Sequence, residues 1–219
     1  MISSTIKRLN DRRDAVGDAG SDAGFTLIEL MVVLLILAIL LAIAIPTFLG
    51  VTKSANDRAA QSNLNTALVN AKSLFQTNSQ SYALGVVGTA NLTANNSALV
   101  GSLTTAEPNL SFVTGTVTGG LTLATVSVSI AADGNGVVLA EQAKGTQNCW
   151  FIIDNSQAET ALSGGTSYTN LSGAGLSAGT AYGEVKYSGT GTVPACSALA
   201  PPLAVPGSVV YQASGFPTL

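Results

Sequence analysis

The chain has 219 residues, enough for one or two domains with a buried core. Only 10% of the residues are charged, whereas 47% are hydrophobic, so uncharged polar residues replace much of the usual charged surface. The sequence has no histidine and two cysteines, which excludes histidine triads, histidine zinc sites and four-cysteine zinc sites. The formal net charge of −3 and the lack of a long basic run indicate no specific nucleic-acid site.

The first 24 residues differ from the rest of the chain in their charge. They contain four of the nine basic residues and four of the twelve acidic residues, so this segment has no net charge. Five bases and eight acids remain for the other residues. The body of the protein is therefore sparsely charged and mildly acidic.

Residues 25–45 form an apolar stretch in which Glu29 is the only ionisable side chain. A helix of this length spans roughly 31 Å, about the thickness of a bilayer's hydrocarbon core. Glu29 lies only about 6 Å of helix rise beyond Phe25, so its carboxylate can lie near the membrane interface, where it costs less than at the bilayer centre. The pattern predicts one membrane-spanning helix.

Two simpler interpretations of the apolar stretch stay open. The segment Ala42-Ile43-Ala44 has the small-residue pattern of a signal peptidase site, although Glu29 and the nearby Pro46 argue against one. A plain membrane anchor without special processing is the other interpretation, since any apolar helix of this length can serve as one.

The start of the apolar stretch resembles the processing site of type IV prepilins and pseudopilins, through the residues Gly24-Phe25-Thr26-Leu27-Ile28-Glu29-Leu30 and the run MVVLLILAILLAIAIP that follows. The resemblance is close over about residues 20–80 and general elsewhere. It implies that a prepilin peptidase cuts between Gly24 and Phe25 on the cytoplasmic side, removes the leader 1–24 and methylates the new amino group of Phe25. Glycine suits such a cut because it lets an extended backbone enter a narrow cleft.

Glu29 is the predicted filament assembly residue. When such helices pack side by side, the Glu29 carboxylate of one subunit can meet the Phe25 ammonium of another. At about 4 Å and an effective dielectric near 20, this pair gains roughly 4 kcal/mol before desolvation is subtracted. A carboxylate that is merely tolerated at the interface remains the alternative.

Pro46 removes the amide that would bond to the carbonyl of Ala42, which predicts a kink or a locally melted turn near residues 42–46. The resemblance implies that the helix continues beyond it, and a helix stop is the alternative. Apolar residues then recur every three or four positions from Ala60 to Phe75. This spacing predicts an amphipathic helix over about residues 46–80 that continues the stem.

Beyond Tyr82, the chain becomes rich in Gly, Ser, Thr and Asn, with short β-prone runs. We predict an antiparallel sheet packed on the amphipathic helix, within a globular head of residues 81–219, which gives an α+β pilin fold. The predicted strands are residues 110–117, 121–130, 136–140, 149–153 and 182–187, separated by Gly119-Gly120, Asp133-Gly134-Asn135-Gly136 and Gly164-Gly165.

Two further patterns bear on the sheet. Val126, Val128 and Ile130 alternate with Ser127 and Ser129, which predicts one buried face and one solvated face. The segment 133–136 resembles part of a calcium loop but lacks the remaining carboxylates, so we expect a hairpin turn and no metal.

Cys149 and Cys196 fall in the part predicted to lie outside the cytoplasm, so one disulfide is the economical interpretation and two free thiols are the alternative. The disulfide would close a loop of about 48 residues, worth around 4 kcal/mol on the chain-entropy model. A proline-rich tail follows Cys196, which departs from the usual pattern of pilin-like proteins.

These features predict a structural subunit of a type IV pilus-like filament, without enzymatic activity or cofactor. The resemblance implies a subunit held in the cytoplasmic membrane and then assembled with itself into a helical homopolymer at the cell surface. The implied partners are the prepilin peptidase, an assembly platform and ATPases, and the implied roles are adhesion, motility, DNA uptake or secretion. The alternatives are a minor pilin or type II secretion pseudopilin, and, from another class, a membrane-anchored surface binding domain.

Overall fold

The computed structural model describes residues 24–117, 124–159, 176–187, 189, 196–201 and 209–217. The chain divides into two compact units, Met1–Phe48 and Leu49–Leu219, here called the apolar unit and the head unit. The described residues form two α-helices and six strands: α1 (Leu27–Thr77), α2 (Leu92–Ala106), β1 (Ser111–Val113), β2 (Thr125–Ile130), β3 (Gly136–Gln142), β4 (Cys149–Asn155), β5 (Gly179–Val185) and β6 (Val209–Gln212). This architecture is α+β, as expected for a pilin.

Helix α1 has 51 residues and contains Pro46. The predicted continuation of the helix beyond this proline is confirmed, and the alternative of a helix stop is wrong. Next to the proline, the Thr47 hydroxyl donates to the carbonyl of Ala44 at 2.9 Å and to that of Ile43 at 3.2 Å. These bonds give the carbonyls of this turn a polar partner, and the kink remains a prediction.

The predicted amphipathic stripe of α1 packs against the sheet in the head unit. Its buried positions recur every three or four residues, as a helix face requires: Asp57, Ala60, Leu64, Ala67, Leu68 and Ala71. Their apolar members share one core cluster with the inward side chains of the strands, among them Val126, Val128, Ile130, Leu139, Trp150 and Ile152.

The six strands follow chain order across one sheet, β1-β2-β3-β4-β5-β6. All neighbours are antiparallel except β1 and β2, which are parallel, so the expected wholly antiparallel sheet needs this correction. The first predicted strand, residues 110–117, is reduced to the three residues of β1. Helix α2 and strand β6 had no counterpart in the sequence prediction.

The predicted hairpin turn at residues 133–136 is present between β2 and β3. The Asn135 amide donates to Asp133 Oδ1 at 3.0 Å, and Gly134 has a φ of +79°, a conformation that L side chains rarely adopt. A Cβ at Gly134 would also lie 2.3 Å from the Ser81 hydroxyl oxygen. The other two predicted separators, Gly119-Gly120 and Gly164-Gly165, lie outside the described residues.

The face of β2 that carries the serines is not solvated, contrary to the prediction. Ser127 and Ser129 are both fully buried. The Ser127 hydroxyl donates to the Gly115 carbonyl at 2.7 Å and accepts from the Ala198 amide at 2.9 Å. A second cluster, which includes Phe151 and Ala198, covers this side of the sheet, so the sheet is buried on both faces.

The predicted disulfide between Cys149 and Cys196 is present, with the Cα atoms 5.5 Å apart. Both cysteines are fully buried. The Val117 amide also donates to the Cys196 carbonyl at 2.6 Å. The disulfide therefore attaches residues 196–198 to the start of β4, where Cys196 and Ala198 belong to the cluster on the second face of the sheet.

Breaking this disulfide should destabilise the head. Replacing both cysteines by serine in the double variant Cys149→Ser/Cys196→Ser is expected to lower the free energy of unfolding by about 4 kcal/mol, because the closed loop no longer restricts the unfolded chain. The measurement is urea unfolding of the full chain in detergent micelles, followed by Trp150 fluorescence. A reductant should destabilise the wild type and leave the stability of the double variant unchanged. Equal urea midpoints for the wild type and the double variant without reductant would contradict the prediction.

Two buried carboxyl groups lie on the face of the sheet that meets α1. Burial raises the pKa of Glu141 to about 8, although the Asn63 amide donates to its carboxyl at 2.9 Å. Burial also raises the pKa of Glu184 to about 7, to which the nearby Asp57 charge contributes while Lys186 opposes it. Both groups bind protons more tightly in the folded head than in the unfolded chain.

The stability of the head should therefore fall as pH rises from about 4.5 to about 8, because the unfolded chain releases these protons first. Glu141→Gln keeps a neutral side chain at all pH values, so it should be more stable than the wild type near pH 8 and similar near pH 4. Urea unfolding at the two pH values tests this. An unchanged pH dependence in Glu141→Gln would contradict it.

Candidate processing and assembly site

The predicted cleavage residues lie directly before α1, which begins at Leu27. Phe25 is 87% exposed. A Cβ built at Gly24 meets no described atom within 4 Å, and the residue does not have a positive φ. The described part of the chain thus gives no packing or backbone reason for glycine at this position.

The helix start is closed by a capping box between Thr26 and Glu29. The Thr26 amide and hydroxyl donate to Glu29 Oε2 at 2.9 and 2.8 Å. In return, the Glu29 amide donates to the Thr26 hydroxyl oxygen at 3.3 Å. The cap satisfies backbone donors that a helix start otherwise leaves without partners.

The role of Thr26 is absent from the sequence prediction, although its signal is in the sequence. A threonine followed three residues later by glutamate, just before an apolar run, is the pattern of a capping box.

The capping bonds of Glu29 use only one of its carboxylate oxygens. Both bonds from Thr26 end on Oε2. A carboxylate offers about four acceptor positions on two oxygens, so Oε1 retains the capacity to accept another donor. The site can therefore cap its own helix and pair with a cation at the same time.

The helix that follows this site is apolar on all sides. Every side chain from Phe25 to Ile45 is exposed within the described residues. Helix α1 is long and apolar enough to cross a membrane, since an 18-residue window has a mean hydropathy of 3.2 and none of that window is buried. A helix that is hydrophobic all round is stable only when lipid or other protein covers it.

The carboxylates of the head unit have structural partners. Asp154 accepts from the Tyr82 hydroxyl at 2.6 Å, pairs with Lys72 Nζ at 2.8 Å and also accepts from the Thr180 hydroxyl. Within the described ranges, no group of three or more His, Cys, Asp or Glu side chains is placed to hold a metal.

Residues 20–45 match the family model described as the prokaryotic N-terminal methylation motif. No curated protein and no solved structure matches the chain. The matched segment contains Gly24, Phe25 and Glu29 and ends before Pro46. This motif implies processing by a prepilin peptidase and polymerisation into a pilus, in a family whose members are structural and not enzymatic. The motif over residues 20–45 and the apolar helix that begins within it support a type IV pilin-like prepilin.

Proposed function

We propose that the chain is a structural subunit of a type IV pilus-like filament. The peptidase removes residues 1–24 by cutting between Gly24 and Phe25, and the amino group of Phe25 is methylated. The observation that carries this proposal is the methylation motif at residues 20–45, which runs into an apolar helix that no described residue covers.

The same helix serves in two environments. Its all-round hydrophobicity suits the cytoplasmic membrane first, where residues 25–45 span the bilayer, and later a bundle of identical helices in the filament core. Residues 46–80 continue the stem and 81–219 form the head. Repeated contacts that do not close on themselves produce an open helical fibre, so one kind of subunit is sufficient.

Glu29 sets the register in which subunits assemble. One of its carboxylate oxygens caps its own helix, and the other is available to a neighbouring subunit. Cleavage before Phe25 leaves the Thr26 amide intact, so the capping box survives processing. The new ammonium group of Phe25 in a neighbouring subunit pairs with the carboxylate, which gains roughly 4 kcal/mol at about 4 Å before desolvation is subtracted. A subunit out of register would leave both charges unpaired among apolar side chains.

The remaining partners follow from the family. An assembly platform and ATPases extract the subunit from the membrane, and the exposed heads give the fibre its role in adhesion, motility or DNA uptake. A minor pilin or a type II secretion pseudopilin differs from this in copy number, so abundance in sheared fibres distinguishes the two.

Processing predicts the mass of the mature subunit. We expect the chain from sheared surface material to begin at Phe25 and to be one methyl group heavier than residues 25–219, as intact-mass and N-terminal sequencing by mass spectrometry will measure. Gly24→Leu should leave the full-length chain in the membrane, because a bulky side chain obstructs the peptidase cleft. A chain that begins at Ile45 would indicate ordinary secretion. A chain that still begins at Met1 would indicate a plain membrane anchor. Either result would contradict the proposal.

Substitutions can separate the charge of Glu29 from its role in capping the helix. Glu29→Gln keeps the cap, because glutamine also accepts from the Thr26 amide in a capping box, but it removes the charge. We expect both Glu29→Gln and Glu29→Ala to reduce sheared filaments at least about tenfold, while processing at Gly24 continues. Quantitative blotting of sheared and membrane fractions measures this.

The matched control is Thr26→Val, which removes the capping hydroxyl and keeps the Glu29 charge. It should retain more filaments than Glu29→Gln. If Glu29→Gln assembled normally while Thr26→Val did not, Glu29 would act through the cap alone and the pairing with Phe25 would be refuted.

A further inference from the structure

Two exposed lysines of the head unit line one pocket, and a third exposed lysine directly precedes a lining residue in the chain. We call Lys53, Lys144 and Lys186 the lysine patch; they come from α1, from the turn between β3 and β4, and from the segment after β5. The pocket has a volume of about 370 Å³ and is lined by Lys53, Gly145, Thr146, Asn148, Lys186, Tyr187 and Gly189. Lys144 directly precedes the lining residue Gly145 in the chain.

The patch is held together by contacts between the β3–β4 turn and α1. A Cβ at Gly145 would lie 3.9 Å from Lys53 Cγ, so the turn approaches the helix closely here. The Thr146 hydroxyl donates to the buried Asp57 carboxylate at 2.7 Å. The indole of Trp150 donates to the same oxygen at 3.0 Å, which places the tryptophan next to the patch.

The backbone next to Lys186 is held through Asn148. The Tyr187 amide donates to the Asn148 side-chain carbonyl at 3.0 Å, and the Asn148 amide donates to Glu184 at 3.3 Å. Lys186 Nζ lies 3.9 Å from Glu184, whose pKa burial raises to about 7. Lys53 and Lys144 make no salt bridge with the residues that the structure describes.

A second copy of the chain offers little for this patch to bind. Beyond residue 24, five of the eight acidic side chains are buried: Asp57, Glu141, Asp154, Glu159 and Glu184. Glu107 and Asp133 are half-buried, and Glu29 is in the apolar unit. The described surface of another head therefore offers few carboxylates for the lysine patch to pair with.

Lys53 lies only a few residues along the chain from the proposed membrane span, so this argument rests on the membrane stage of the proposed function. Lys53 follows Ile45 by eight residues of α1, about 12 Å of helix rise. Between Ile45 and Lys53 along the sequence, Phe48, Leu49 and Val51 are apolar and exposed. The headgroup layer extends about 5–8 Å beyond the hydrocarbon, and charges act over a further Debye length of about 8 Å.

We propose that the lysine patch binds the phosphate groups of anionic phospholipids at the outer face of the cytoplasmic membrane, with one headgroup in the pocket between Lys53 and Lys186. This contact holds the head on the bilayer while the subunit waits for assembly. Each basic residue near an anionic surface changes the ratio of docked to free heads by about fivefold.

Trp150, the only tryptophan of the chain, reports this docking directly. The processed subunit is reconstituted into phosphatidylcholine vesicles with and without phosphatidylglycerol, each with a trace of dansyl-labelled lipid, and energy transfer from Trp150 to dansyl is measured. We expect greater transfer with phosphatidylglycerol and a decrease as salt is raised. The triple variant Lys53→Gln/Lys144→Gln/Lys186→Gln should reduce the docked-to-free ratio about a hundredfold.

The matched control replaces the same three lysines by arginine, which keeps the charges and should keep the transfer. Urea unfolding confirms that each variant is folded. Equal transfer in the two kinds of vesicle, or equal loss in the arginine variant, would overturn the proposal. Release of the head by short duplex DNA at about 0.15 M salt would assign the patch to nucleic acid instead.

Two further measurements distinguish a failure of the lysine patch to bind lipid from a failure of the proposed function on which it rests. Flotation with vesicles tests the membrane stage: a chain that fails to float refutes the proposed function, whereas one that floats without lipid dependence refutes the patch alone. Transfer that rises with protein density in phosphatidylcholine vesicles would indicate contact between copies and also overturn lipid binding.

Discussion

The apolar surface of residues 25–45 is the constraint on which the rest of the protein depends. Exposing one large aliphatic side chain to water costs about 1.5–3 kcal/mol, and most positions of this segment carry such a side chain. The helix therefore exists only where lipid or other protein surrounds it. In the proposed function, a single chain meets the membrane first and the other subunits of the filament second. The two steps therefore follow the order in which these two environments become available to the apolar helix.

The capping box makes the lone carboxylate compatible with that environment. In lipid, the free backbone amides of a helix start have no water to bond with, and each unsatisfied group costs several kcal/mol. Glu29 and Thr26 satisfy part of this demand within one chain, so the carboxylate has hydrogen-bond partners before any neighbour arrives. The proposed pairing with a second subunit would then add to an arrangement that is already formed, which would lower the desolvation cost that remains.

Local signals of the sequence were sufficient for much of this fold. The buried stripe from Ala60 to Ala71 follows helical spacing. The Asp, Gly and Asn residues at 133–136 are typical of a turn. Two cysteines in one compartment allow only one disulfide pairing. Helix α2 was missed because its Thr, Asn, Ser and Gly residues are weak helix formers, so packing through Leu99 and Leu103 decides its structure. Ser127 and Ser129 look solvated in sequence, since nothing local indicates that the segment after Cys196 covers them.

The formal charge illustrates why a sequence describes a surface poorly. Eight acids against five bases beyond residue 24 suggest an acidic head. Folding buries five of these acids and raises the pKa of Glu141 and Glu184 to about 8 and 7, whereas the lysines of the patch stay exposed. The charge that a partner meets is thus set by which groups the core encloses. Three lysines are too few for strong binding along a nucleic-acid backbone. They are enough to orient a head that its apolar helix already tethers to a bilayer. In that case the helix supplies the affinity for the membrane, and the charges need only select an orientation of the head.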